Sequence, residues 1–193
     1  PAPVMEAVQK DHFTIINHTI PFFGPMIYFM MRAIGAEQAL EIGTAEGYTS
    51  YYMAQAIKDN ATRYQMLGNT YYGIDIALQK PVVDNLKEFP AICYEMDSMT
   101  LPGPLAGITF DVIFQDGCHD KEHVVYEFEK MYPQLNGDGK GYWIAHDCFG
   151  DLERNAVHGV NEIIRRIKAG EVNMEYCRIW DIYGLAIFRK MDK

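Results

Sequence analysis

Residues 39–48 read Ala-Leu-Glu-Ile-Gly-Thr-Ala-Glu-Gly-Tyr, a short apolar run that ends in a glycine-rich turn. Apolar residues at helical spacing follow directly, over residues 48–57. The stretch therefore predicts a buried strand, a tight turn and a helix. In parallel sheets, ligands bind just beyond such strand ends, so this turn is the first place to search for a site.

The order of strand and then helix recurs along the chain. Strands are predicted at residues 39–43, 71–75, 92–94, 110–116 and 142–146, and helices at 48–57, 81–87, 121–132 and 155–168. Two final strands, 175–181 and 185–189, read as a hairpin because Ile182-Tyr-Gly184 joins them directly. The alternation predicts an α/β fold with a Rossmann-like, doubly wound sheet of seven strands, mostly parallel, with a C-terminal antiparallel hairpin.

Two helical patterns, at residues 4–18 and 25–36, precede the first strand and are divided by Pro21-Phe-Phe-Gly-Pro25. We expect them to pack as a helical cap over the site. A chain of this length is the size of one domain. We therefore expect a single domain over residues 1–193, with residues 1–36 as the cap and residues 37–193 as the core. The apolar cap would also suit a homo-oligomer interface.

The charge of the chain restricts its partners. It has 193 residues, with 26 acidic and 17 basic side chains and a formal net charge of −9. Such a balance gives no general attraction to nucleic acid or to anionic membranes. The longest apolar run, residues 26–31, is far shorter than the roughly 20 residues that cross a bilayer. With no cationic segment before it and four scattered cysteines, we expect a cytoplasmic protein.

The turn after the first strand differs from the dinucleotide-binding fingerprint, because Ala45 and Tyr48 stand where that fingerprint has glycines. The carboxylate of Glu41 would oppose a pyrophosphate but suit a ligand with ammonium and sulfonium charges, and S-adenosylmethionine is such a ligand. The alternative is that Gly43 and Gly47 only permit a tight turn and that Glu41 is solvated. The turn alone leaves both interpretations open.

Carboxylates also end the next two strands. Asp75 lies 32 residues after Gly43, beyond the usual spacing of ~20 for a ribose-binding acid. The excess fits residues 59–69, which we interpret as an enlarged surface loop. Asp75 can accept hydrogen bonds from ribose hydroxyls or cap a helix, and Asp97 with Ser98 would flank an adenine.

Four polar groups follow the fourth and fifth strands: Asp116 and His119 after one, His146 and Asp147 after the other. Together they could hold a divalent cation. Alternatively, one imidazole acts as a general base that a carboxylate orients. Purely structural roles, with His119 as a helix cap and Asp147 in an ion pair, are the third interpretation. Two pairs at neighbouring strand ends favour a site.

A rival motif overlaps this stretch. His119-Asp-Lys-Glu122-His123 matches H-x-x-E-H, a zinc-peptidase signature. That site requires both histidines on one helix face and a third ligand. The first histidine here lies in a turn directly after a strand, which argues against a peptidase.

Residues 39–50 resemble motif I of class I S-adenosylmethionine-dependent methyltransferases, in the variant of the catechol and caffeoyl-CoA O-methyltransferase group. Phe110 to His119, with the Gly-rich turn and His146-Asp147 that follow, is similar to a branch containing the macrolide sugar O-methyltransferases. The resemblance covers about residues 36–149.

The resemblance implies specific roles. The cofactor would contact Glu41, Gly43, Thr44, Ala45, Gly47, Asp75, Asp97, Ser98 and Asp116. The catalytic residues would be His119 as base and Asp116, and a magnesium ion would be held by Asp116, Asp147 and His146. Two departures concern the metal: relatives carry an acidic pair where His146-Asp147 stands, or Asp-Asn where Asp147-Cys148 stands. Magnesium prefers oxygen ligands, whereas His119 as base does not depend on a metal.

The hypothesis is a methyl transfer from S-adenosylmethionine to an oxygen of a small-molecule acceptor, with His119 as general base and possible assistance from Mg²⁺ or another divalent cation. A non-catalytic protein that binds the same cofactor on this fold is the main alternative. A zinc peptidase and an aminopropyl transferase are further ones.

Overall fold

The computed structural model describes residues 23–137, 139–148, 156–179 and 184–192. The strands are β1 (Gln38–Ile42), β2 (Thr70–Asp75), β3 (Ala91–Glu95), β4 (Val112–Gln115), β5 (Tyr142–His146), β6 (Met174–Ile179) and β7 (Leu185–Lys190). The helices are α1 (Phe23–Ile34), α2 (Tyr48–Tyr64), α3 (Lys80–Leu86), α4 (Lys121–Met131) and α5 (Ala156–Lys168), with short 3₁₀ turns at Ser98–Thr100, Gly103–Leu105 and Tyr132–Gln134. The predicted helix at residues 4–18 lies outside the described residues.

The seven strands form one sheet in the order β3-β2-β1-β4-β5-β7-β6. The first five strands in that order are parallel, whereas β7 runs antiparallel to both β5 and β6. The winding reverses where β1 and β4 lie side by side, which is where such sheets bind ligands. The predicted fold class, including the C-terminal antiparallel pair, is confirmed.

Helices cover both faces of the sheet because successive strand side chains point to opposite sides. Under α4 and α5 lies one core, to which the strands contribute Leu40, Ile42, Ile113 and Trp143. Under α1, α2 and α3 lies a second, to which they contribute Ala39, Val112, Phe114 and Ile144. Burial on both faces explains why the strands read as continuous apolar runs.

The predicted loop at residues 59–69 is wrong in its first half, because α2 continues to Tyr64, and only residues 65–69 form a loop. Its continuation is held by α1: the buried Asn60 side chain donates to the carbonyls of Met31 and Ala36 and accepts a hydrogen bond from Arg32. These contacts come from a distant part of the chain. They outweigh the weak helix propensity of the segment.

Helix α1 belongs to the packed layer of the fold. Its Phe23, Ile27 and Met31 are buried, and the Tyr28 hydroxyl donates to the Asp59 carboxylate on α2 at 2.7 Å. In the part of the chain that the structure describes, no helix combines the length and the apolar composition needed to cross a bilayer.

Candidate active site

The turn after β1 requires glycine for a steric reason. Gly43 has φ +88°, and a Cβ there would lie 2.4 Å from the backbone oxygen of Asp116. The turn therefore approaches the end of β4 more closely than any side chain allows. Gly47, also at positive φ, is the N-cap of α2. A Cβ added at Gly47 would lie 3.1 Å from the Val82 side chain of α3. Glycine is thus required at both positions for structural reasons. At Gly43 it allows the ends of β1 and β4 to lie close together.

Asp75 at the end of β2 organises this turn. Its Oδ2 accepts hydrogen bonds from the backbone N–H groups of Thr44 and Ala45, both at 2.9 Å. Its Oδ1 accepts one from Ala77 N–H, also at 2.9 Å. A carboxylate oxygen offers two lone pairs, so Oδ1 keeps capacity for a ligand hydroxyl.

A cleft of about 450 Å³ lies over the carboxyl ends of β1 to β4. Of the residues predicted to bind a cofactor, it is lined by Gly43, Ala45, Asp75, Asp97, Ser98 and Asp116. Residues that the sequence analysis missed also line it, namely Ile42, Ile74, Ile76, Met96, Gly117, Cys118 and His123. No local signal in the sequence distinguishes these residues: a single exposed apolar side chain such as Ile76, which is 74% exposed, is common on protein surfaces.

Glu41 does not face this cleft. Its carboxylate is buried and accepts hydrogen bonds from the hydroxyls of Ser50, at 2.5 Å, and Tyr71. Burial raises the pKa of the Glu41 carboxyl to about 8, against the opposing effect of those two hydroxyls. The argument that a charged Glu41 faces a sulfonium is therefore corrected: the group lies beneath the turn and is mostly protonated at neutral pH. Thr44 and Gly47 are likewise absent from the cleft lining.

The four polar groups predicted after β4 and β5 meet in a chain of contacts. His146 Nδ1 lies 3.0 Å from Asp116 Oδ1 and 3.2 Å from Asp147 Oδ1. The other oxygen of Asp147, Oδ2, lies 3.2 Å from His119 Nε2. Asp116 thus belongs both to the cleft and to this acid–histidine cluster, which we define as Asp116, His119, His146 and Asp147.

The cluster includes a residue with a left-handed backbone conformation, Asp147, and a buried imidazole, that of His146. Asp147 has φ +54°, a conformation that costs a non-glycine residue free energy and that often marks functional sites. Burial lowers the pKa of His146, but the Asp116 and Asp147 carboxylates outweigh it and raise that pKa to about 10. His146 is therefore positively charged at neutral pH.

His119 is the more accessible of the two imidazoles, with its side chain 38% exposed against 6% for His146. Its Nε2 lies 3.2 Å from a carboxylate oxygen of Asp147, and a neutral imidazole with its proton on Nε2 has its lone pair on Nδ1. An imidazole oriented in this way by an acid can accept a proton at Nδ1.

The first described helix contacts the cluster through its first residue. The Phe23 ring packs against His146 in an edge-to-face arrangement, with ring centroids 5.3 Å apart. Sequence analysis did not single out Phe23, since nothing local to Pro21-Phe-Phe-Gly-Pro25 tells which aromatic ring faces a distant strand end.

The zinc-peptidase arrangement is not formed. His119 lies before α4, which begins at Lys121, whereas His123 lies in its first turn. Cys118, Asp120 and His123 do bring ligand atoms within 4.8 Å of one another, but this group contains neither His119 nor Glu122.

Solved structures share the fold. The S-adenosylhomocysteine-bound methyltransferase PaMTH1 from Podospora anserina is 15% identical, with a TM-score of 0.70 over 100% of this chain and 89% of that one. The O-methyltransferase TomG from Streptomyces achromogenes, involved in tomaymycin synthesis and in complex with S-adenosylmethionine, is 17% identical, with a TM-score of 0.69 over 98% and 87%. An O-methyltransferase from Bacillus cereus in complex with S-adenosylhomocysteine is 18% identical, with a TM-score of 0.67 over 97% and 87%.

Sequence comparison finds a family but no individual curated relative. No curated protein matches the chain. A family model described as a methyltransferase domain, however, matches residues 40–148, from β1 to the acid–histidine cluster. Because that match spans more than half of its residues, this chain belongs to the methyltransferase domain family.

Proposed function

We propose that the protein transfers a methyl group from S-adenosylmethionine to a hydroxyl of a small molecule. The family match supports methyl transfer, and three solved structures of the same fold have that cofactor or its product bound. The observation that carries the proposal is the position of Asp116, which lines the cleft and also contacts His146 of the acid–histidine cluster.

The cleft residues would hold the cofactor by its separate parts. Asp75 Oδ1 would accept a ribose hydroxyl, Asp97 and Ser98 would lie beside the adenine, and the Gly43–Ala45 turn would face the methionine part. When bound, S-adenosylmethionine supplies a methyl group already activated on a sulfonium. The protein then has to align donor and acceptor, an effect worth ~7–11 kcal/mol when the alignment is good.

His119 would act as the general base. Its Nε2 lies 3.2 Å from Asp147 Oδ2, a contact that would orient the ring, and Nδ1 would take the proton of the acceptor hydroxyl. Such catalysis contributes typically about 10²–10⁴-fold. Asp116 belongs both to this cluster and to the cleft lining and would help to place the acceptor next to the cofactor.

The residues implied for a divalent cation do not fit one. Asp116, His146 and Asp147 would be its ligands, but magnesium demands oxygen ligands in near-octahedral geometry. Here His146 Nδ1 lies at hydrogen-bond distance from both carboxylates. We therefore assign no catalytic step to a metal ion.

The remaining expectations stay proposals. We propose a small-molecule acceptor beside Phe23 and His119, a cytoplasmic location, and a homo-oligomer formed through the N-terminal helices. With a net charge of −9, we do not propose nucleic acid or membranes as partners.

Calorimetric titration of the whole protein with S-adenosylmethionine and S-adenosylhomocysteine tests the cofactor. We expect both to bind wild type, and Asp97→Ala with Ser98→Ala to weaken both. The matched control is Asp84→Asn, an exposed residue paired with Lys80 and Lys87, which should bind as wild type does. Absence of binding would refute the proposal.

Release of S-adenosylhomocysteine in the presence of phenol, catechol and sugar acceptors tests the reaction. Turnover with any hydroxyl acceptor supports methyl transfer to oxygen. Tight binding with no turnover across the panel would instead favour the non-catalytic binding protein.

A further inference from the structure

A side chain of this protein lies beside both cluster carboxylates that would hold a cation. His146 Nδ1 lies 3.0 Å from an oxygen of Asp116 and 3.2 Å from an oxygen of Asp147. Both separations are within ion-pair distance of an imidazole and a carboxylate, and the donor atom between the two acids is a nitrogen, whereas magnesium prefers oxygen ligands. His146 Nδ1 is thus within ion-pair distance of both acids.

The imidazole is held in this position from several sides. His146 is the last residue of β5, pairs with Leu185 of β7, and is buried. The Phe23 ring packs against it at a centroid distance of 5.3 Å. A rotation that freed the two carboxylates for an ion would have to displace this packing.

We propose that His146 replaces a divalent cation in this site, so that methyl transfer by this chain needs no metal ion. This inference rests on the proposed function. His146 is a positioning residue: through its ion pairs with both acids it holds Asp116 at the cleft and Asp147 in contact with His119. The hydroxyl proton then leaves by way of the imidazole base and not through a metal-bound oxygen.

The wild-type protein provides the first test. Manganese(II) titration is followed by electron paramagnetic resonance. We expect wild type and Asp116→Asn to give the same signal, because Asp116 holds no ion. Turnover should be the same with a chelator and with magnesium. Manganese binding that Asp116→Asn abolishes, or a loss of about tenfold or more on chelation that magnesium reverses, would overturn the proposal. The manganese titration does not depend on turnover. It therefore tests this inference even if the protein proves not to transfer methyl groups.

Two variants provide the second test. His146→Asp sets a third carboxylate beside Asp116 and Asp147, an oxygen donor set that suits a divalent cation. We expect this variant to bind manganese and to recover activity with magnesium. His146→Asn adds no charge, so it should neither bind manganese nor recover activity with magnesium. If His146 had a purely structural role, the two variants would show the same lack of response to metal ions. Folding is checked by thermal melts, and equal metal responses would contradict the inference.

Discussion

At the residue scale, the two histidines of the cluster have different tasks because their surroundings differ. His146 is buried between two acids, whereas His119 is partly exposed and contacts one of them. Local sequence offers no such distinction, since both imidazoles follow strands and stand near an aspartate.

His119→Ala removes the proposed base and should lower kcat by roughly 10²–10⁴-fold. Because His119 is not among the residues that line the cleft, S-adenosylmethionine should bind as it does to wild type. Steady-state kinetics and calorimetry measure the two effects. Exposed Glu122→Gln, three residues away, is the control and should change neither; a parallel loss of rate and cofactor affinity in His119→Ala would contradict the assignment.

Glu41 makes stability depend on pH. Its folded-state pKa of about 8 lies above the ordinary value of 4.5, so the folded state binds the proton more tightly than the unfolded state. The resulting stabilisation is complete below about pH 4.5 and is lost as pH rises through about 8.

Glu41→Gln should remove this part of the pH dependence, because an amide keeps a hydrogen-bonding group and does not titrate. Urea unfolding of both proteins between pH 5 and 8 measures it. We expect the wild type to lose more stability than the variant over that range, by on the order of a few kcal/mol. Parallel curves would show that the carboxyl is ionised throughout.

At the element scale, the informative feature is the approach of two strand-end turns. The apolar pattern predicted β1, β2 and β4 because burial on both faces leaves a clear signal. It did not predict the length of α2, whose last turns depend on Asn60 contacting α1.

Gly43→Ala should be much more damaging than Gly68→Ala. Both glycines have φ near +90°, but an added Cβ meets nothing within 4 Å at Gly68 and the backbone of Asp116 at Gly43. The conformational cost of about 1–3 kcal/mol is common to both; displacement of the β4 turn is specific to Gly43. Urea unfolding and cofactor titration measure the difference, and equal losses would disprove the steric argument.

At the scale of the whole molecule, the cleft draws residues from the ends of four strands, so a bound ligand should stabilise the sheet as a unit. At a concentration of about 100 times Kd, S-adenosylhomocysteine should add ~2.7 kcal/mol. For a domain of this size that raises Tm by roughly 5–11 °C. Thermal melts measure the shift; nicotinamide dinucleotide should give none, and a shift with it would count against the cofactor assignment.

The amino-acid sequence by itself determined the sheet, its hairpin and the strand ends at which a site would lie, because apolar runs and glycine turns are local signals. The family match confirms the methyltransferase resemblance seen in residues 39–50. Only the tertiary structure decided that Glu41 is buried beneath its turn, that Phe23 covers His146, and that His146 lies between two carboxylates. Those contacts join residues that are distant in the chain, and their charge states follow from burial and neighbours that no local pattern specifies.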